Sequence, residues 1–109
     1  MPPSVQAWKL ADLNYGQTRQ QPFEVAVLPL GCTEPHNLHL PYGQDTFQSE
    51  IIGEQICRAA VALGAKVVLL PAIPYGTVSN QRRCPLSINV NPSTLGALVT
   101  DIVQSLAGH

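Results

Sequence analysis

Two short runs constrain this chain more than any other feature. EVAVLPL at residues 24–30 and KVVLLPA at residues 66–72 are aliphatic and β-branched without polar alternation. Strands covered on both faces read this way. Between them, Thr46 to Leu63 sets Phe47, Ile51, Ile52, Ile56, Ala59, Ala60 and Leu63 at intervals of three and four, with Glu50, Glu54 and Arg58 opposite. That spacing predicts an amphipathic helix ending near Gly64. Strand, helix and strand in this order form a βαβ unit, so the strands are expected to be parallel with a right-handed crossover, the first of them central. A long connection over residues 73–91 follows, in which SINV is a candidate short strand. Asn91 and Pro92 then mark a helix start: Asn is expected to cap the free amides, and Pro fits the first turn. Leu95, Leu98, Val99, Ile102, Val103 and Leu106 share one face of that helix, and Gly108 stands where a left-handed cap belongs.

The fold class is therefore a parallel-sheet, layered α/β domain, here an incomplete βαβα portion. At 109 residues the chain is one domain, with residues 1–22 as an irregular or short-helical lead-in around Trp8 and Leu10. A helix with so clear an apolar stripe normally leads into a third parallel strand. The expectation is the amino-terminal part of a larger α/β domain.

Charged residues make up only 12% of the chain, about half the roughly 25% of an ordinary soluble domain. So much neutral surface suits an oligomer or a larger parent fold. Six basic against seven acidic residues, with only Arg82 and Arg83 adjacent, leave no nucleic-acid footprint. No apolar stretch approaches the ~20 residues of a membrane span, and the start lacks a secretion signal, so a cytoplasmic location is expected. Cys32, Cys57 and Cys84 are widely spaced, and reduced thiols are expected.

Chemistry concentrates in GCTEPHNLHLPYGQD, residues 31–45, a Pro- and Gly-rich loop beyond the first strand. Glu34, His36, His39 and Asp45 are mixed carboxylate and imidazole donors, suited to zinc, manganese or iron. Open α/β sheets hold ligands at this edge. Glu34 and His36 stand two apart, so an extended segment points both the same way. Asp45 sits at the mouth of the next helix, where capping alone also accounts for it. Other readings stay open here. Cys32, His36 and His39 are three-quarters of a structural zinc site without a fourth ligand of usual spacing, and Cys32 beside His36 is a candidate nucleophile without a group to activate it. Cys57 reads as core, Tyr42 and Tyr75 as packing residues with a wet hydroxyl, and Arg82 with Arg83 as a solvated pair or an anion clamp.

The stretch VAVLPLGCTEPHNLHLPYGQDT resembles the first motif of the creatininase (creatinine amidohydrolase) family, a strand followed by G-S-x-E-x-H-G-x-H-L-P-x-x-T-D-T. VVLLPAIPYG and PLSINVNPSTL resemble that family's next strand, its P-x-x-P-Y-G turn and its S-P-x-T-L helix start. The likeness runs from residue 24 to 107. Departures are Cys32 for Ser, Pro35 for Gln, Asn37 and Leu38 for Gly-Pro, and Gln44 for Thr. None removes a ligand. The resemblance implies a creatininase-like α/β fold in which Glu34 ligates one divalent ion, His36 the other and Asp45 bridges them, with His39 in a structural or supporting role. It further implies two divalent ions (zinc, manganese or both), a small linear or cyclic amide substrate cut at C–N, and a homo-oligomer. The family's later ligands and proton-transferring residues come from motifs beyond a third strand, so no catalytic residue is assigned. Because His36 must be neutral to bind, metal affinity is expected to fall below about pH 6. The competing expectation is a non-catalytic binding or assembly subunit whose sheet edge a partner covers; a weaker third is a small structural-zinc protein.

Overall fold

The computed structural model describes residues 7–108; the first six residues of the expected lead-in, and His109, lie outside the described residues. Strands β1 (Val25–Val27) and β2 (Val67–Leu69) pair in parallel, Val25 with Val67 and Val27 with Leu69. The βαβ expectation holds. The regular strands are shorter than the apolar runs because Pro29 and Pro71 bring no N–H to the ladder. Pairing resumes beyond them: Leu30 bridges Ile73, Gly31 N donates to Ile73 O at 2.8 Å and Ile73 N to Pro29 O at 3.1 Å. Val27 faces Leu69 whereas Leu30 faces Ile73, so the second run carries one extra residue, a bulge that re-aims the chain at the mouth of the loops.

The central strand is the second, not the first. All three residues of β2 are buried, whereas Val25 of β1 is 54% exposed. The cause is a contact from the lead-in, where Lys9 bridges Leu69 in parallel and Leu69 N donates to Trp8 O at 2.6 Å. Trp8 then buries its ring with Cys57, Val67 and Leu69, against which Val27 and Ala60 pack. The rest of the lead-in is a 3-10 turn, Leu10–Asp12, and a short exposed helix α1, Tyr15–Thr18, closed by a capping box between Asn14 and Gln17.

Helix α2 spans Gln44–Ala62, with Leu63 as its C-cap. Gly64, at φ +91°, supplies the left-handed exit that the sequence predicts. Its buried face differs from the expected one. Thr46, Gly53 and Cys57 are buried, while Phe47, Ile51, Ile52 and Ile56 are each more than half exposed. The helix lies so close to the sheet that a Cβ on Gly53 would come within 2.9 Å of Leu69 Cδ1 and 3.4 Å of Pro29 Cγ. Only a line of small residues permits that approach, and the large aliphatic side chains are turned outward. Lys9 Nζ reaches Glu54 Oε1 at 2.7 Å and ties the helix to the lead-in.

Helix α3 spans Pro92–Ala107, with Pro at its first position as expected. Asn91 does not cap it through its side chain; Asn91 Oδ1 accepts from Asn89 Nδ2 at 3.1 Å instead. Gly108 sits at φ −83°, so its expected left-handed cap is absent. Within SINV, Ile88 bridges Thr33 antiparallel and Asn89 bridges Gly76 in parallel, isolated links that fold the 73–91 connection over the ends of the strands. Among the described residues, no helix is long and apolar enough to cross a membrane.

Candidate metal centre

The loop after β1 is clamped from two sides. On one, Gly31 lies against the first turn of α2, where a Cβ would come within 2.6 Å of Thr46 Cα. Thr46 Oγ1 donates to Cys32 O at 3.3 Å and Ser49 Oγ to Leu30 O at 2.6 Å. On the other, Thr33 Oγ1 donates to Pro74 O at 2.8 Å, Ile88 N to Thr33 O at 3.1 Å, and Tyr42 hydroxyl to Pro85 O at 2.6 Å. The hydroxyl of Tyr42 is therefore a backbone strut. The loop backbone is held between α2 and the 73–91 connection, which fixes where its side chains converge.

They converge on Asp45. Its position in the first turn of α2 puts the carboxylate at the positive end of the helix dipole. The N-cap itself is Gly43, so capping does not account for Asp45. Cys32 Sγ donates to Asp45 Oδ2 at 2.9 Å, and Cys32, Glu34 and Asp45 each bring one donor atom within 4.8 Å of the others. His36 Nε2 lies 3.1 Å from the same Oδ2, yet it is buried and makes no hydrogen bond. Burial, followed by the hydrogen bonds to Asp45 and Glu34 and their negative charge, pushes the Cys32 thiol up to about 12. The thiol is neutral at physiological pH, which removes the nucleophile reading of Cys32 in the ion-free site.

The electrostatics leave the cluster short of positive charge. Two carboxylates with donor oxygens within 4.8 Å of each other repel one another. Among the described residues, Lys9 is paired with Glu54 and Lys66 with Glu24, and no Lys or Arg pairs with Glu34 or Asp45. The His36 Nε2 contact with Asp45 Oδ2 is an ion pair when the imidazole is protonated, and the same two atoms are available to a cation when it is not. The donor set of carboxylate, imidazole and thiol suits a divalent ion such as zinc. Arg82 and Arg83 are exposed, as in the solvated-pair reading.

Asp45 thus neighbours Glu34 and Cys32 in a three-donor group and, separately, His36 Nε2, which that group does not include; His39 is exposed and also outside it. The structural-zinc set of Cys32, His36 and His39 is not assembled. Cys32 is the residue that sequence reasoning put in the wrong company. The alternation that aligns Glu34 with His36 also aligns Cys32 with Glu34, and this was the available signal. Between His36 and Leu40, which bridge antiparallel, Asn37 turns the chain at φ +58° with its Oδ1 accepting from Leu38 N at 2.9 Å. Asn tolerates this left-handed conformation, which explains how it stands where Gly is common.

The profile of the Creatininase family, described as creatinine amidohydrolase, matches residues 11–109. The chain belongs to the creatininase family. A protein from Bacteroides fragilis NCTC 9343 that carries a creatinine amidohydrolase assignment superposes with a TM-score of 0.80 at 32% identity, covering 94% of this chain and 42% of that one. A crystal structure of creatinine amidohydrolase (creatininase) gives 0.76 at 24% identity, covering 96% of this chain and 42% of that one. A creatininase variant complexed with creatine gives 0.74 at 24% identity, covering 95% and 41%. No curated protein matches. The creatininase α/β fold is thereby shown, and the chain spans about two-fifths of the length of these relatives. The family is one of metal-dependent amidohydrolases, and the residues gathered after β1 fit such a metal.

Proposed function

We propose that this chain carries the first-loop share of a two-ion amidohydrolase centre, in which Glu34 holds one divalent ion, His36 the second, and Asp45 bridges both. The observation that carries the reading is Asp45 Oδ2, with the buried, unbonded His36 Nε2 at 3.1 Å on one flank and the cluster with Glu34 and Cys32 on the other. Ions held there supply an activated water at neutral pH and polarise an amide carbonyl. The chain's own part is to position. Asp45 is fixed by the first turn of α2, Glu34 and His36 by the clamped loop, and His36 must give up any proton on Nε2 to ligate. The substrate class proposed is a small linear or cyclic amide, the kind of C–N bond named by the creatinine amidohydrolase relatives.

The test is metal stoichiometry by calorimetry and elemental analysis, with zinc and with manganese. The expected result is binding by the native chain and loss of both ions in Asp45→Ala, with far-ultraviolet circular dichroism unchanged. Full metal content in Asp45→Ala would refute the bridging role. A second reading, an assembly subunit without catalysis, draws on the exposed Phe47, Ile51, Ile52 and Ile56. It expects a folded chain that takes up no ion.

A further inference from the structure

Resting on that metal-centre reading, we infer that Cys32 is an additional donor of the centre, giving it one sulfur ligand and a preference for zinc-class ions over manganese or magnesium. Sγ is held in place by the backbone on both sides: Gly31 is bonded to Ile73, Thr33 is bridged to Ile88, and Thr46 fastens the Cys32 carbonyl. It points at Asp45 Oδ2 at 2.9 Å and lies within 4.8 Å of the Glu34 donor atom. A tetrahedral zinc with Zn–S of about 2.3 Å and Zn–O of about 2.1 Å separates sulfur from oxygen by roughly 3.6 Å. The 2.9 Å contact with Asp45 is shorter than that separation and the Glu34 donor atom lies no farther than 4.8 Å, so modest side-chain rotation suffices. His36 Nε2, without a hydrogen bond, lies 3.1 Å from the same oxygen and brings an imidazole donor beside the thiol and the carboxylates.

A proton now sits between Sγ and Oδ2; on coordination that proton leaves to solvent, the S–H bond breaks and a sulfur–metal bond forms, with no change of oxidation state. The resemblance places Ser at this position in related chains. A hydroxyl is a hard, neutral and weak ligand, whereas thiolate is soft and selects zinc, cobalt or cadmium over manganese. Replacing one oxygen by sulfur here changes which ion the loop prefers without disturbing Glu34, His36 or Asp45.

The experiment is cobalt(II) titration of the full chain after chelator treatment, read by absorption. The expected result is visible ligand-field bands together with a near-ultraviolet sulfur-to-cobalt band; Cys32→Ser keeps the former and loses the latter, and Cys84→Ser keeps both. In competition titrations, Cys32→Ser should lower zinc affinity by about 10- to 100-fold, the scale seen for perturbed metal sites, and leave manganese affinity unchanged. Ligand-field bands without the sulfur band in the native chain would overturn the inference and leave the carboxylate–imidazole centre standing. Persistence of the sulfur band in Cys32→Ser would overturn it as well. Absence of every cobalt band would overturn both. A measurement free of substitution is alkylation mapping of the native chain: zinc should protect Cys32 and leave the rate at Cys84 unaltered, and equal alkylation of Cys32 with and without zinc counts against the inference.

Discussion

Cys32 couples the protonation of the ion-free site to the stability of the fold. Its folded-state value of about 12 lies above the ordinary 9.0, so the folded chain keeps a proton that the unfolded chain releases in alkali. The stability this contributes is complete below about pH 9 and is lost as pH rises through about 12. Buried Cys57, raised by desolvation, and Lys9, raised first by its hydrogen bond to Glu54, act in the same direction. The expected outcome is a urea midpoint of the metal-free chain that falls steadily above about pH 9, with a shallower fall in Cys32→Ser. Equal slopes in the two proteins would show that the thiol has no share in it. At this scale the motif pointed to Glu34, His36 and Asp45, all three within one loop and its helix start, and the structure places Glu34 and His36 each beside Asp45. Alternation aligned Cys32 with Glu34, but its bond to Asp45, 13 residues away, is made only when the loop turns back.

The elements were legible in kind and order, and least legible in which face meets which. Helix α2 has two apolar faces, one of large aliphatic residues and one of small ones, and hydrophobic periodicity selects the first. The sheet takes the second, because Gly53 lets the helix axis approach Leu69 and Pro29. Substitutions distinguish the two faces directly. Gly53→Val should destabilise by about 1–3 kcal/mol through overpacking, whereas Ile52→Thr on the open face should stay within about 0.5 kcal/mol in a dilute monomer. Urea denaturation gives both numbers, and the reverse order would restore the face that periodicity favours. The central position of β2 has a similar cause. It depends on Trp8 and Lys9 lying alongside Leu69, a contact between segments about sixty residues apart in sequence that no strand-sized window contains. The cap at Asn91 failed for a local reason, since its side chain is engaged by Asn89.

At the scale of the whole molecule, exposed aliphatic residues gather on two helices, Phe47, Ile51, Ile52 and Ile56 on α2 and Leu98, Val103 and Leu106 on α3. Contiguous apolar surface of this kind is what a partner surface or the remainder of a larger fold covers. Burial of these stripes between copies of the chain is the expectation that the family resemblance raises. Sedimentation equilibrium over a hundredfold range of concentration should then show mass rising above that of the single chain. Ile52→Glu with Ile56→Glu should return it to a monomer while leaving cobalt absorption intact, because neither residue touches the loop that holds Asp45. A chain that stays monomeric throughout, and binds no apolar dye, would mean that the stripes close on the chain itself in solution. Loss of cobalt absorption along with assembly would instead make the metal loop depend on the neighbouring copy.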